Sequence, residues 1–350
     1  MRILSVVGAR PQFVKLAPIA KALTGRAEHI VVHTGQHYDE LMSDVFFRDL
    51  GIASPDVNLA VGSGAHGAQT AAMIVGLESV FEKYRPDWVL VYGDTNSTLA
   101  AAITAVKIHL PLAHLEAGLR SFNRRMPEEH NRVLTDHAAD LCLAPTERAM
   151  EHLAREGLAD ISVLVGDVMT DVLFEVRDRV AGLPLPPDLA IEQGGYFVST
   201  LHRADNTDDP EVLSAILGGL AAVDRPVLLL AHPRLVALAE KHGIPLAQGS
   251  VRAASPVAYP ELVNLVRNSA GVITDSGGLQ KEAFLLGVPC TTLRTETEWV
   301  ETVELGWNVL VHSDFAELAD VVTRPAPLPT DAAPYGDGHA ATRVVDILTA

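Results

Sequence analysis

The feature that most constrains this 350-residue chain is a repeated alternation of short apolar runs with helical patterns. The first run, at residues 2–7, predicts a buried strand, and residues 11–23 carry the apolar spacing of a helix. Strands that alternate with helices form parallel sheets covered by helices, so we predict an α/β fold. Further strands are predicted at 30–34, 88–92, 110–115, 140–144 and 161–165, and a long helix at 68–84.

A Pro- and Gly-rich segment at 181–195 interrupts the alternation and is typical of a linker. A second series follows it, with strands predicted at 196–201, 227–231, 272–274 and 289–293 and a final helix at 340–348. We predict domains at 1–180 and 181–335, followed by a C-terminal helical segment at 336–350. Two such halves are expected to hold a ligand at the carboxyl ends of their strands, in a cleft between them.

Charge and composition exclude several classes of function. The formal net charge is −17, from 27 Lys and Arg against 44 Asp and Glu, which argues against a nucleic-acid or anionic-membrane surface. An anionic ligand must therefore be held by a few local cations. Cys142 and Cys290 both lie in apolar runs, which indicates buried thiols in a reducing compartment. With no apolar run of membrane-spanning length and a first strand that begins at residue 2, we expect a cytoplasmic protein.

The densest mixture of acids, bases and glycine lies between His114 and Arg132. Glu116 comes directly after an apolar run. Burying a charge there without a functional partner would cost free energy. Pro127 followed by Glu128 and Glu129 is typical of a helix start. A loop between a strand end and a helix start commonly carries function on an α/β scaffold. The alternative, acids that only complement the helix dipole, stays open, especially for Glu129.

Charged residues also follow other predicted strands, close to the start of the next helix. Arg10 and Lys15 flank the start of the first helix, where cations are unfavourable unless an anion completes the site. Asp94 ends a strand beside Gly93, although it or Thr95 could simply cap the next helix. His202 ends the first strand of the second half, where it could hold a pyrophosphate or move a proton.

The sharpest local motif is a strand at 272–274 that runs into Ser276, Gly277 and Gly278 and then into a helix. Two glycines allow close backbone approach, and the free N–H groups of a helix start can bind a diphosphate. Glu282 lies about one turn further on, where its carboxylate could accept hydrogen bonds from two ribose hydroxyls. A tight turn with an exposed Glu is the structural alternative.

Taken together, these motifs resemble the non-hydrolysing UDP-N-acetylglucosamine 2-epimerases over nearly the whole chain. The segments that carry the resemblance are GARP at 8–11, TGQHYD at 34–39, GDTNS at 93–97, HLEAGLR at 114–120, PEE at 127–129, TLHR at 200–203 and DSGGLQKE at 275–282. The resemblance implies a GT-B-like fold, with two Rossmann-like domains that face a deep cleft and a C-terminal helix that crosses back to the first domain. It also implies a homodimer that needs no metal and no nicotinamide cofactor.

The resemblance also implies roles for individual residues. The catalytic carboxylates fall on Asp94, Glu116 and Glu128 of the first domain. The UDP contacts fall on Arg10, Lys15, His202, Ser276, Gly277, Gly278 and Glu282. The family's route eliminates UDP across C1–C2 to give a bound 2-acetamidoglucal, and UDP then adds back with a proton delivered to the opposite face. Arg10, His202 and the Ser-Gly-Gly turn would stabilise the leaving pyrophosphate.

The chain departs from the family pattern in two places. Many relatives carry an Arg where Trp299 stands here, so we expect altered sugar recognition, with Arg294 supplying part of the anion contact. Members regulated by their own substrate carry additional Arg residues at the positions of Ala204 and Tyr38. We therefore expect weak or absent substrate activation.

Four hypotheses follow from the sequence. The first is a UDP-N-acetylglucosamine 2-epimerase, including one for a modified UDP-N-acetyl sugar. The second is a GT-B glycosyltransferase, which shares the fold and the nucleotide site. A nucleotide-sugar sensor and a hydrolysing epimerase are the others. The three acids expected at the strand ends favour the first hypothesis.

Overall fold

A computed structural model describes residues 1–36 and 53–350, apart from the side chain of Arg10. The predicted positions His37 and Tyr38 lie outside the described residues. The chain divides into two compact units, one formed by Met1–Val172 with Ala333–Ala350 and the other by Leu173–Ala332.

The first unit contains a seven-stranded parallel sheet in the order β3-β2-β1-β4-β5-β6-β7. Its elements are β1 (Arg2–Val7), α1 (Arg10–Leu23), β2 (Glu28–His33), β3 (Val57–Asn58), α2 (His66–Tyr84), β4 (Trp88–Tyr92), α3 (Asn96–Lys107), β5 (Leu112–Leu115), α4 (Pro127–Ala138), β6 (Leu141–Ala144), α5 (Glu147–Arg155), β7 (Ser162–Leu164) and the start of α6 (Val168–Arg179), with a 3-10 turn at Ala159–Ile161.

The second unit contains a six-stranded parallel sheet in the order β10-β9-β8-β11-β12-β13. Its elements are β8 (Phe197–Thr200), α7 (Ala204–Thr207), α8 (Pro210–Ala221), β9 (Val227–Leu230), α9 (Pro233–His242), β10 (Val251–Ala254), α10 (Tyr259–Arg267), β11 (Gly271–Thr274), α11 (Gly277–Leu285), β12 (Cys290–Thr292), α12 (Val300–Glu304), β13 (Asn308–Leu310) and α13 (Leu318–Val322), with 3-10 turns at Pro187–Leu189 and Phe315–Glu317. The chain ends in α14 (Ala340–Leu348), which belongs to the first unit.

Both sheets reverse their strand order in the middle, between β1 and β4 and between β8 and β11. Ligands of open parallel sheets bind outside the carboxyl ends of the strands at this switch point. Gly8 follows β1 and Gly93 follows β4, while His202 follows β8 and Asp275 follows β11. Three predicted site residues, Arg10, Asp94 and His202, thus follow strands that border the switch points.

Burial on both faces explains why the central strands are continuous apolar runs. In β4, Leu90 and Tyr92 join the core on one face of the sheet, and Val89 and Val91 join the core on the other. All four side chains are fully buried. The strand that leads to Gly93 and Asp94 is therefore packed on both faces.

The final helix α14 packs into the core of the first unit. Val344 and Leu348 are buried in the same cluster as Leu16 and Ile19 of α1. The carboxylate of Asp171 accepts hydrogen bonds from the backbone N–H groups of residues 340 and 341, at 3.0 and 2.8 Å, and so caps α14.

Two strands of the second sheet, β10 and β13, were not predicted from the sequence. Both lie at the edges of their sheet, and two of the four residues of β10, Arg252 and Ala253, are exposed. An edge strand lacks the apolar character of a buried one, so its sequence signal is weak. Among the described residues, no helix is both long enough and apolar enough to cross a membrane.

Candidate active site

Glu116 emerges from the carboxyl end of β5 in a strained backbone conformation. Its φ is +75°, in the left-handed region that residues other than glycine rarely adopt. The backbone N–H groups of Glu116 and Ala117 both donate to the carbonyl of Leu143, at 3.1 and 3.2 Å. Two donors on one carbonyl fix the turn, and strain held in this way is common at functional sites.

The carboxylate of Glu116 forms an ion pair with Lys15 of α1. Both side chains are largely buried, with exposures of 16% and 13%. Burial alone would lower the pKa of Lys15, but the neighbouring carboxylates of Glu116, Asp94 and Asp167 outweigh it and raise that pKa. Lys15 thus stays an ammonium ion among acids. Its predicted contact with the nucleotide remains a prediction.

The absence of a side chain at Gly93 makes room for this ion pair. Its φ is +60°, and a Cβ built on it would lie 3.1 Å from Oε2 of Glu116 and 3.3 Å from Nζ of Lys15. Any side chain at this position would therefore crowd the pair and strain the turn.

Asp94 follows Gly93 and is 29% exposed. Its Oδ2 lies 2.5 Å from Nη2 of Arg132, and its backbone carbonyl accepts a hydrogen bond from Nδ2 of Asn131 at 2.9 Å. The hydroxyl of Thr95 accepts from the N–H of Thr98 and so caps α3. The side chain of Asp94 is paired with a cation of α4 instead of capping a helix.

Glu128 and Glu129, both in the first turn of α4, differ sharply. Glu128 is exposed and has no hydrogen bond or ion pair within the described residues. Glu129 is buried and accepts from the N–H and hydroxyl of Ser121, from the N–H of Phe122 and from Arg132, at 2.8 to 3.0 Å. Burial would raise the pKa of Glu129, but these donors lower it. Glu129 therefore anchors the loop before α4 and does more than complement the helix dipole.

The start of α1 is built around Gln12. Its Oε1 accepts from the N–H groups of Gly8 and Ala9, at 2.8 and 3.0 Å, and its Nε2 donates to the carbonyl of Tyr92 at 2.8 Å. Gln12 thereby ties the end of β1 to the end of β4. Arg10 is the first residue of α1, and its predicted contact with an anion stays a prediction because its side chain is not described.

In the second unit, Ser276 stands at the N-cap of α11, and Gly277 and Gly278 form its first positions. The side chain of Ser276 makes no cap hydrogen bond, and the first turn of α11 contains no acid. A Cβ built on Gly278 would meet no described atom within 4 Å. The first N–H groups of a helix have no partner within the helix, so the start of α11 offers the donors that an anion site requires.

His202 is oriented by Asp275, which is fully buried. Nδ1 of His202 lies 2.9 Å from Oδ1 of Asp275, and the carboxylate also accepts from the N–H groups of His202 and Arg203 and from Asn206. Burial would raise the pKa of Asp275, but His202 and the N–H donors lower it. The ring of His202 is half exposed. Because Asp275 contacts Nδ1, the other ring nitrogen of His202, Nε2, is available to a ligand.

The other predicted contacts of the second unit are also held by neighbours. Oε1 of Glu282 accepts from the hydroxyl of Tyr259 at 2.8 Å. Arg294 forms a bidentate ion pair with Glu298, at 2.8 and 2.9 Å, and this pair lies beside Gly277. The ring of Trp299 stacks under the ammonium group of buried Lys281, 4.2 Å from the ring centre.

Sequence reasoning missed several polar residues near these sites. A cavity of about 240 Å³ beside His202 is lined by Thr207, His232, Arg234 and Leu235. His232 follows β9, so the strand-end pattern that singled out His202 could have found it. The roles of Arg132 and Asn131 could not be read from the sequence, because their partner lies 37 or more residues away. In the described parts, 1–36 and 53–350, no group of three or more His, Cys, Asp or Glu is placed to hold a metal ion.

Comparison with known proteins identifies relatives along the whole chain. The model of the family described as UDP-N-acetylglucosamine 2-epimerase matches residues 21–349. A Pseudomonas aeruginosa UDP-2,3-diacetamido-2,3-dideoxy-D-glucuronate 2-epimerase is 45% identical, with 99% of each chain covered. The UDP-N-acetylglucosamine 2-epimerase of Methanocaldococcus jannaschii is 39% identical over 100% of this chain and 99% of its own.

A solved structure of that Methanocaldococcus jannaschii enzyme, in complex with UDP-N-acetylglucosamine and UDP, has a TM-score of 0.82 at 38% sequence identity, covering 100% of this chain and 99% of its own. The predicted fold class, GT-B-like with two Rossmann-like parallel-sheet domains, is therefore confirmed, and so is the prediction of an enzyme of the isomerase class. The chain belongs to the UDP-N-acetylglucosamine 2-epimerase family.

Proposed function

We propose that this protein interconverts UDP-N-acetylglucosamine and UDP-N-acetylmannosamine by inverting C2 of the sugar. The observation that carries the proposal is the pair of acids after β4 and β5 of the first sheet, where Lys15 forms an ion pair with Glu116 and also feels the charge of Asp94. Family membership and the UDP-sugar bound by the Methanocaldococcus jannaschii relative support the same substrate class.

The proposed reaction eliminates UDP and then adds it back. A carboxylate takes the proton from C2, the electron pair of that bond forms a C1=C2 double bond, and the bond from C1 to the β-phosphate oxygen breaks. UDP then attacks C1 of the bound 2-acetamidoglucal while an acid returns a proton to the opposite face of C2. No net redox change occurs, and no cofactor is needed.

The three proposed catalytic acids have different surroundings, and removal and return of a proton on opposite faces requires such a difference. Glu116 is paired with an ammonium ion and Asp94 with a guanidinium ion. Glu128 is exposed at the first turn of α4. The proposal assigns proton transfer to these three residues together, without dividing the roles of acid and base.

UDP is proposed to bind to the second domain. The open N-terminus of α11 at Ser276, Gly277 and Gly278 would accept the diphosphate, together with Nε2 of His202. The carboxylate of Glu282, held by Tyr259, would accept the ribose hydroxyls. Arg294 would add a cation beside Gly277. Arg10 and Lys15 of the first domain are the remaining proposed contacts of UDP. We further propose that the protein is cytoplasmic and forms a homodimer.

A second candidate is a 2-epimerase of a modified UDP-N-acetyl sugar. The relative from Pseudomonas aeruginosa, 45% identical over 99% of the chain, is named for a diacetamido glucuronate substrate. Trp299, where many family members carry Arg, is fixed against Lys281 and presents an aromatic surface in its place. A change from cation to aromatic ring alters which sugar substituents can be bound.

The test is incubation with UDP-N-acetylglucosamine in deuterated water, followed by NMR. The proposal predicts deuterium at C2 with UDP still attached, and loss of this exchange in the variants Glu116→Gln and Asp94→Asn while UDP still binds. The control variant Glu82→Gln, an exposed acid of α2, should exchange normally.

Other results would select the other hypotheses. Free sugar with UDP would indicate a hydrolysing enzyme, and no exchange without an acceptor would favour a transferase or a sensor. Exchange that is fast only with a diacetamido glucuronate substrate would select the second candidate. Full exchange in both carboxylate variants would overturn the site assignment.

A further inference from the structure

The side chain of His114 contacts each element that carries a proposed catalytic acid. His114 lies on β5, two residues before Glu116. Its Nε2 lies 2.7 Å from the carbonyl oxygen of Gly93, the residue before Asp94. Its Nδ1 lies 2.6 Å from Oδ1 of Asp136 on α4, the helix that begins beside Glu128. The ring is completely buried.

Both ring nitrogens of His114 face atoms that can only accept a hydrogen bond. A backbone carbonyl has no proton to donate, and an ionised carboxylate has none either. A neutral imidazole has a single N–H group, so one of the two short contacts would then bring together two lone pairs. Only the doubly protonated ring donates to both partners.

The surroundings of Asp136 favour its ionised form. Its Oδ2 lies 2.7 Å from Nη2 of Arg120 and accepts from the N–H of Gly118 at 3.1 Å. Burial would raise the pKa of Asp136, but His114 and Arg120 outweigh burial and lower it. Arg120 is itself paired with Glu156, at 2.7 Å. Asp136 therefore lies between the ring of His114 and the guanidinium group of Arg120.

Two further groups close to His114 in the described structure do not compete for these contacts. Cys142 on β6 is the register partner of His114, and its thiol lies 3.6 Å from the carbonyl of Asp136. Burial raises the pKa of Cys142 to about 12, so this thiol remains neutral. The nearest carboxylate along the chain, Glu116, is paired with Lys15.

We propose that His114 is a positioning residue, held as a buried imidazolium, that fixes Asp94, Glu116 and Glu128 relative to one another. This inference rests on the proposed function for the reaction that it serves. His114 does not touch substrate in this proposal. It acts by holding the end of β4 and the helix α4 to β5, the strand that delivers Glu116.

The protonation state is tested by ¹⁵N NMR of the full-length protein labelled at histidine, between pH 6 and 8. Both ring nitrogens of His114 should give signals of the protonated type, assigned by their loss in His114→Gln. His29 is the internal reference, because burial lowers its pKa to about 4 and keeps its ring neutral. An unprotonated nitrogen on His114 at pH 7 would overturn the proposal.

The positioning role is tested with His114→Gln and Asp136→Asn. Misplacement of reacting groups by about 1 Å can cost about 10²-fold, so we expect a loss of that size in kcat for C2 exchange. KM and UDP affinity should stay nearly unchanged, because nucleotide binding is assigned to other residues. In Asp136→Asn the ring of His114 should also lose its second proton, a change that a purely structural role does not require.

His29→Gln serves as the matched control. His29 is partly buried and bonds to Ser5 at 2.8 Å, and within the described residues it has no hydrogen bond or ion pair with a proposed catalytic acid, so its replacement should leave kcat unchanged. A wild-type kcat in His114→Gln would overturn the proposal. If that variant does not fold, the kcat of Asp136→Asn and the NMR spectrum of the wild-type protein still test it. If the wild-type protein incorporates no deuterium into either candidate substrate, the proposed function is wrong. The protonation state of His114 is tested separately, by the NMR spectrum alone.

Discussion

At the scale of single residues, the candidate site depends on positions where the backbone or the available space permits one residue type. Glu116 carries the strain of a positive φ and is held there by the carbonyl of Leu143. Gly93 has a positive φ as well, but its second requirement is space, since the pair of Lys15 and Glu116 lies where its Cβ would be.

These two requirements can be separated by comparing Gly93→Ala with Gly25→Ala. Gly25 also has a positive φ, +75°, but a Cβ built there would meet nothing within 4 Å in the described chain. Gly25→Ala should lower the free energy of unfolding by about 1 kcal/mol, the cost of the backbone strain alone, and leave C2 exchange intact. Gly93→Ala should cost more and also reduce exchange. Urea unfolding and the deuterium assay measure the two effects, and equal losses in both variants would contradict this account.

At the scale of elements, α1 and α11 begin in related ways. Each follows the central strand at a switch point, and neither has an acid in its first turn within the described residues. The uncompensated positive end of each helix is a ready anion site. The difference is that the N–H groups before α1 are already used by Gln12, whereas the N-cap residue of α11, Ser276, makes no side-chain cap hydrogen bond.

The anion site at α11 is tested by Gly278→Ala, with Gly218→Ala of α8 as control. Both glycines are helical, and a Cβ on either meets nothing within 4 Å of described structure. Alanine favours the helix, so neither variant should be less stable than the wild type. A methyl group in the first turn of α11 should nevertheless weaken UDP binding about 10-fold or more by blocking close approach of the diphosphate. Calorimetry with UDP measures this, and wild-type affinity in Gly278→Ala would remove the diphosphate from this helix.

At the scale of the whole molecule, the sequence was enough to predict the two parallel sheets and the strand ends that carry polar residues. Central strands such as β4 are buried on both faces and are therefore easily recognised. The pairings within the site were not predictable, because Lys15 and Glu116 are 101 residues apart and meet only through the order of the strands. The buried role of Glu129 was missed for a related reason, since its donors lie in a loop without a regular pattern.

The first unit is discontinuous in sequence, because the C-terminal residues return to it. This discontinuity predicts the effect of Leu348→Ala. Leu348 lies sixteen residues after the end of the second unit, yet it is 1% exposed in the core of the first, together with Leu16, Ile19 and Leu23. The cavity left by the substitution should cost about 2–5 kcal/mol. Because that core belongs to the first unit, amide hydrogen exchange should accelerate in β1 to β7 and remain unchanged in β8 to β13. Thr342→Ala, on the exposed side of α14, should change neither set of amides. Equal acceleration in both sheets would show that the two units do not unfold separately, and no acceleration would show that α14 does not stabilise the first.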